Sequence, residues 1–133
     1  MNVKKLLLTS VVVGVVMNIV DFVVQGQLLA GYYANFALLK KEAPIPWLVI
    51  GDFVAALVFV WVYDRVRSSF GAGAKGGATY GLYAGILINF PTWIFAHLLF
   101  EGFPYSLAWT WALLGIGWCV IAGAVAGALY NRK

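Results

Sequence analysis

The sequence predicts an all-α integral membrane protein, a bundle of four transmembrane helices, and composition is the first reason. Of the 133 residues, 63% are hydrophobic and only 11% are charged, and the mean hydropathy is +0.90. Soluble domains average about 45–50% apolar and about 25% charged residues. The second reason is that the apolar residues form four runs, each near or above the roughly 20 residues needed to cross a bilayer. The lipid bilayer is therefore the first expected partner of this single domain.

Four helices are expected in order along the chain, separated by polar or glycine-rich turns. The first is long enough that it should tilt or protrude beyond the bilayer. The predicted helices cover residues 3–33, 47–66, 76–100 and 105–130. The predicted turns are KKEAPIP (40–46), SSFGAGAKGG (68–77) and EGFP (101–104). We expect no soluble domain among these residues.

The basic residues are distributed unequally between the two predicted surfaces. If the four helices alternate in direction, one side carries Lys4, Lys5, Arg65, Arg67, Lys75, Arg132 and Lys133. The other side carries only Lys40 and Lys41. An excess of Lys and Arg marks the cytoplasmic side, so we expect both termini in the cytoplasm and the chain in a bacterial inner membrane. Because the basic residues flank apolar helices, the pI of about 9.3 does not indicate nucleic-acid binding.

The chain has one cysteine, Cys119, and one histidine, His97. A disulfide within the chain, a cysteine-rich metal site and haem held by two histidines are therefore excluded. Without a zinc motif such as HExxH, no metal or other cofactor is expected. The first residues resemble a signal peptide, with two lysines before an apolar run. No small-residue cleavage site follows directly, so we expect a retained helix.

The two halves of the chain resemble each other when one is shifted by 71 positions. Twelve of the 62 aligned pairs are identical, where so apolar a composition would give about five or six by chance. The matches include Gly14 with Gly85 and Asn18 with Asn89. Our interpretation is two pseudo-repeated helical hairpins, related by an axis along the membrane normal. The alternative is chance similarity between two hairpins of like composition.

Glycines recur every four residues in the third predicted helix, and a second such pair occurs in the fourth. These residues are Gly73, Gly77, Gly81 and Gly85, and then Gly123 and Gly127. Ridges of small residues let helix backbones approach closely in lipid, where van der Waals packing drives helix association. We expect a tight helix contact at these ridges, either within the chain or against another subunit.

Asp21 is an acid deep in the first apolar helix, and Asn18 and Gln25 share its helical face. A carboxylate at such depth costs roughly 2.5–3.5 kcal/mol on insertion scales, so it should face protein or water and is by default a functional residue. Asn89 and Thr92 have the matching spacing on the third helix, and we expect one of them to hydrogen-bond Asp21. The alternative is a neutral acid that only pairs helices.

Three further titratable residues lie near the predicted outer ends of helices, namely Asp52, His97 and Glu101. With Asp21 they would form a carboxylate–imidazole group that relays protons or holds a cation. The alternatives are that Asp52 is hydrated near the surface and that His97 and Glu101 form a solvated pair one helical turn apart. The six tryptophans are read as aromatic belts at the two interfaces, with a quinone, pigment or lipid contact at Trp109 and Trp111 as the alternative.

Three short motifs carry a family resemblance that extends over nearly the whole chain. They are DFxxxGxLLxxYY at residues 21–33, YGLYAG at 80–85 with a proline at 91, and PYSLAWxW at 104–111. In these motifs the chain resembles a group of small bacterial four-helix membrane proteins that have no established activity. The resemblance implies a fold and a compartment and no reaction.

Two functions follow from these observations, and neither is enzymatic because no catalytic constellation is present. The first is an accessory or assembly subunit of a larger membrane complex, or a homo-oligomer packed through the glycine ridges. The second is a minimal proton- or cation-coupled transporter or channel with Asp21 as its intramembrane site. In the second, Asn18, Gln25, Asn89 and Thr92 would line the path.

Overall fold

The computed structural model describes residues 1–131, in which every regular element is a helix. The α-helices are α1 (Val3–Val23), α2 (Ala30–Tyr33), α3 (Ile45–Val66), α4 (Gly73–Leu99) and α5 (Tyr105–Tyr130). Counted with the short helical turns that extend two of them, the four long helices have 25 to 27 residues and are apolar enough to cross a membrane. At this level the expected four-helix, multi-pass architecture is confirmed.

The first predicted helix is interrupted before its end. α1 passes into a π-helical turn over Val24–Leu28, closed by a 2.9 Å hydrogen bond from the Leu29 amide to the Val24 carbonyl. Leu29 then leaves helical geometry, with φ −101° and ψ 2°, before α2 begins. Gly26 lies within the turn, and glycine weakens an α-helix by about 1 kcal/mol relative to alanine. Such π-helical turns are frequent at functional sites, and this one carries Gln25.

The bounds of the other long helices lie within three residues of the predicted ones. α3 begins at Ile45 with Pro46 in its first turn, where a proline is tolerated because the first N–H groups of a helix have no helical acceptor. α4 begins at Gly73, so the last residues of the glycine-rich loop are helical. Pro91 lies inside α4 without ending it. The bounds of α5 agree with the predicted helix over residues 105–130.

α4 and α5 pack against each other through their glycines. A Cβ added to Gly77 would lie 1.9 Å from the Gly123 carbonyl oxygen, and one added to Gly81 would lie 2.0 Å from that of Cys119. These distances leave no room for a side chain, so the two backbones are in direct contact. We call this contact the glycine seam, and its members are Gly77, Gly81, Gly85, Gly123 and Gly127. Of the two arrangements that the sequence leaves open, the structure therefore has the one within the chain.

α1 and α3 form a second packed pair, and α5 lies against both of them. Gly14 of α1 faces the ring of Phe53, whose Cδ1 atom lies 2.3 Å from the position of an added Cβ. The fully buried side chains of this core include Val13, Met17, Ala56, Val60 and Ala126. Within the described residues, α1 and α4 have no comparable contact, because α5 lies between them.

The start of α1 and the end of α5 meet at one end of the bundle. The Lys5 ammonium donates a 2.8 Å hydrogen bond to the Tyr130 carbonyl oxygen, and the Arg67 guanidinium lies 5.2 Å from the centroid of the Tyr130 ring. Lys5, Arg65 and Arg67 line one pocket there, and we call this the basic end. Arg132 and Lys133, assigned to the same side by the sequence, lie outside the described residues.

α3 and α4 meet mainly through Tyr80, toward the basic end. The Tyr80 hydroxyl donates a 3.1 Å hydrogen bond to the Phe59 carbonyl oxygen, and its ring lies 4.9 Å from the Phe59 ring and 5.2 Å from the Tyr63 ring. Elsewhere the two helices hardly approach each other. Because the glycine seam commits α4 to α5, the space between α3 and α4 toward the other end of the bundle stays open.

A leucine in the glycine seam should separate α4 from α5. We expect Gly81→Leu to lower the free energy of unfolding by about 1–3 kcal/mol, because the new side chain must displace backbone atoms. The matched control is Gly51→Leu, since an added Cβ at Gly51 has no atom within 4 Å. Thermal unfolding of both variants in mild detergent measures the difference. Equal melting temperatures for the two variants would contradict the backbone contact.

Candidate functional site

A cleft of about 1020 Å³ lies between α3 and α4, with α5 as its floor. Its walls are mainly apolar, and it is open to the outside rather than enclosed. Representative lining residues are Ala55 and Phe59 of α3, Ala84 and Leu87 of α4, and Leu114 and Trp118 of α5. The last residues of α1 and the π-helical turn complete the wall at the end of the cleft farther from the basic end.

Two acids from different helices meet at that end of the cleft. Asp21 comes from the end of α1 and Asp52 from the first half of α3, and both are half-buried. Both side chains line the cleft, and they lie near enough to interact electrostatically. Among the described residues that line the cleft there is no Lys, Arg or His. Because two ionised carboxylates repel each other, a proton or a cation bound between them would stabilise this arrangement.

A chain of hydrogen bonds runs from α5 to the acid pair. The Trp111 indole N–H donates to the Tyr33 hydroxyl at 3.0 Å, and that hydroxyl donates to Gln25 Oε1 at 3.2 Å. Gln25 Nε2 then donates to Asp21 Oδ1 at 3.5 Å. Because an indole nitrogen can only donate, the Tyr33 hydroxyl accepts from Trp111 and uses its own hydrogen to donate to Gln25. The chain therefore aims the Gln25 amide hydrogens at Asp21.

Tyr33 connects α2 to this chain of hydrogen bonds. Burial raises the pKa of the Tyr33 hydroxyl above its usual value, although the hydrogen bond from Trp111 opposes this, and the charges of Tyr32 and Asp21 raise it further. The hydroxyl therefore stays protonated and remains a donor at neutral pH. Tyr32 makes a separate tie to α5, since its hydroxyl lies 3.2 Å from Thr110 Oγ1.

The polar residues expected to join Asp21 from the third predicted helix do not reach it. Asn89 lines the cleft, but its Nδ2 donates to the Gly85 carbonyl oxygen at 3.1 Å and lies 3.8 Å from Cys119 Sγ. Thr92 is exposed and donates to the Ile88 carbonyl oxygen of its own helix. The expected hydrogen bond to Asp21 was wrong because α5 separates α4 from α1.

Asn18 also lies outside the acid pair, although it shares a helix with Asp21. Its Nδ2 donates a 2.8 Å hydrogen bond to the Gly14 carbonyl oxygen one turn earlier in α1, and Asn18 is not part of the cleft wall. Of the four residues predicted to line a path with Asp21, Gln25 and Asn89 therefore face the cleft. Gln25 alone of these bonds Asp21 directly.

The expected carboxylate–imidazole group is not formed. His97 Nδ1 lies 2.8 Å from the Phe103 carbonyl oxygen, and its ring packs against Tyr105 with centroids 5.2 Å apart, so it holds the turn between α4 and α5. Glu101 is exposed in that turn. Among the described residues, no three His, Cys, Asp or Glu side chains lie together as a possible metal site.

Sequence reasoning missed Tyr33 and the role of Trp111. Trp111 lines the cleft and packs against Trp93 with ring centroids 4.7 Å apart, whereas Trp109 packs on Phe90 and is not among the residues that line the cleft. The sequence feature that could have identified Tyr33 was the pair Tyr32 and Tyr33 at the end of the motif over residues 21–33. A spacing of eight residues between Gln25 and Tyr33 gives no contact in a regular α-helix, and the π-helical turn and the break at Leu29 supply it.

Comparisons of this chain with protein-family models, with curated proteins and with solved structures give no match. A fold alone does not identify a function, because the same fold hosts many activities. Function is therefore inferred from the chemistry and geometry of the cleft and its acid pair.

Proposed function

We propose that this protein is a small transporter that carries a proton or a cation at the Asp21–Asp52 pair. The observation that carries the proposal is that these two acids, from separate helices, meet at an open cleft whose described lining has no basic partner. Ionisable residues within transmembrane segments mark ion pathways and proton relays.

The acid pair supplies a site whose affinity depends on the distance between two helices. When the carboxyl groups are close, one proton or cation removes the repulsion between them, and the low dielectric of the surroundings makes this attraction strong. When α1 and α3 move apart, that second ligand is lost and the ion is released. The π-helical turn next to Asp21 is a local departure from regular helix, which makes it the expected place for such a movement.

We infer that both termini face the cytoplasm of a bacterial inner membrane. Lys5, Arg65 and Arg67 lie together at the basic end, whereas Lys40 and Lys41 lie in the exposed segment before α3. This asymmetry supports the basic end as the cytoplasmic one, with Asp21 in the outer half of the membrane. The pairing of α1 with α3 and of α4 with α5 is compatible with two pseudo-repeated hairpins.

An accessory subunit is the second candidate function, and the exposure of α4 favours it. Only 6% of the most apolar 18-residue window of α4 is buried, compared with 17–33% for the other three helices. A helix of another membrane subunit would cover such a surface. Self-association through the glycine ridges is less favoured, because the glycine seam is occupied within the chain. Gentle extraction followed by native mass determination would give a stoichiometric assembly with a second protein if this candidate holds, and a free chain or small homo-oligomer otherwise.

Neutralising either acid should stop ion flux while leaving the fold intact. In proteoliposomes with an imposed pH or cation gradient, we expect Asp21→Asn and Asp52→Asn each to reduce flux about tenfold or more, because one carboxyl group cannot replace the pair. The matched control is Glu101→Gln, which removes an exposed acid in the α4–α5 turn. Flux equal to that of the unaltered protein in both Asn variants, with melting temperatures preserved, would contradict the transporter proposal.

Removing the Tyr33 hydroxyl should weaken transport without abolishing it. Tyr33→Phe breaks the chain that orients Gln25 toward Asp21, and the loss of about 1 kcal/mol for such a hydrogen bond corresponds to an expected reduction in flux of about fivefold. Tyr32→Phe is the matched control, because the Tyr32 hydroxyl lies against Thr110 and is not part of the chain of hydrogen bonds from Trp111 to Asp21. Equal flux in the two variants would show that this chain of hydrogen bonds has no part in transport.

A further inference from the structure

The cleft is far larger than a proton or a metal ion requires. Its volume of about 1020 Å³ is just above the range of about 300–1,000 Å³ that is usual for sites that hold drug-sized organic molecules. Such sites are mainly apolar and have a few convergent polar groups that fix orientation. Here the apolar wall extends from Phe59 and Tyr80 to Trp111, while Asp21 and Asp52 lie together at one end.

Small residues create much of this space. Ala55 of α3 and Ala84 of α4 line the cleft, and Gly117 of α5 lies on its floor. An added Cβ at Gly117 would have no atom within 4 Å, in contrast to the tightly packed glycines of the seam. The surface of α5 at Gly117 is therefore unoccupied, although it lies beside a close-packed core. This arrangement is typical of a binding groove.

The charge of the lining selects the charge of the occupant. Two acids and no described basic residue line the cleft, so an anion would be repelled and a neutral molecule would leave the carboxyl groups without a partner. Trp111 lines the same end of the cleft, and aromatic rings attract organic cations through their π faces. A metal cation would use the acids but would leave the apolar walls unused.

We propose, resting on the transport function proposed above, that the substrate is a lipophilic organic cation whose positive centre lies at Asp21 and Asp52 and whose apolar body fills the cleft between α3 and α4. Because the cleft opens sideways between two helices rather than along a sealed channel, such a molecule would enter from the surrounding apolar phase. Its positive centre would then offset the repulsion between the two acids.

Two ions of the same shape and opposite charge test this assignment on the unaltered protein. We would measure binding of tetraphenylphosphonium and of tetraphenylborate to the purified full chain in detergent, by equilibrium dialysis against protein-free micelles. The expected result is saturable binding of the phosphonium with one site per chain, and binding of the borate weaker by about tenfold or more, a difference set by charge alone.

Three variants and one control locate the site. Asp21→Asn and Asp52→Asn should each weaken phosphonium binding about tenfold or more, whereas Glu101→Gln should leave it unchanged. Gly117→Phe should weaken binding of both ions, because it fills the floor of the cleft without touching the acids. Equal binding of the two ions, or phosphonium binding that is unaffected by both Asn variants, would overturn the proposal and leave the cleft as a site for lipid acyl chains.

The outcome is separable from that of the transport experiment. Ion flux that depends on the two acids, together with no charge-selective binding of phosphonium, would mean that the substrate class is wrong and the transport function stands. Acid-dependent phosphonium binding without any flux would mean that the transport function is wrong and the ligand class stands, since the cleft would then bind the cation without carrying it.

Discussion

The rest of this structure depends on the backbone contact between α4 and α5. In lipid there is no hydrophobic force to bring helices together, so close van der Waals contact decides which helices pair. The glycines of the seam let the two backbones touch at Gly77–Gly123 and Gly81–Cys119. α4 is thereby committed to α5 and meets α3 mainly through Tyr80. The cleft between α3 and α4 follows from that commitment, as the space that α4 does not fill.

The acid pair lies where the cleft and the helix irregularity coincide. Asp21 is next to the π-helical turn that carries Gln25, and α3 brings Asp52 to the same point. Isolated carboxylates in a low-dielectric surrounding are costly unless they are paired or neutralised, and here the two acids line the same cleft with no described basic residue beside them. Two acids without a described basic partner, beside a large apolar cleft, are the feature on which the proposed binding of a positively charged ligand rests.

The sequence predicts the class of this protein well and its site only in part. Hydropathy predicts the four long helices, because a run of about 20 apolar residues has the length of a membrane-spanning helix. The depth of Asp21 and the spacing of the glycines were also readable, since both are properties of single helices. Which helices meet is not such a property, and so a hydrogen bond from Asn89 or Thr92 to Asp21 was expected although α5 lies between their helices. Tyr33 reaches Gln25 only through an irregular turn that helical spacing does not describe.

The most direct test of the central claim, that Asp21 and Asp52 share one site, is cross-linking in the native membrane. In a Cys119→Ser background, Asp21→Cys with Asp52→Cys would be treated with a short bifunctional thiol reagent. A protease cleavage site would be introduced into the exposed segment near Lys40. After cleavage, the two fragments of a cross-linked chain stay together, whereas those of an unlinked chain separate. The structure predicts efficient linkage of this pair and none between Asp21→Cys and Asn89→Cys. Linkage of residue 21 to residue 89 and not to residue 52 would contradict it.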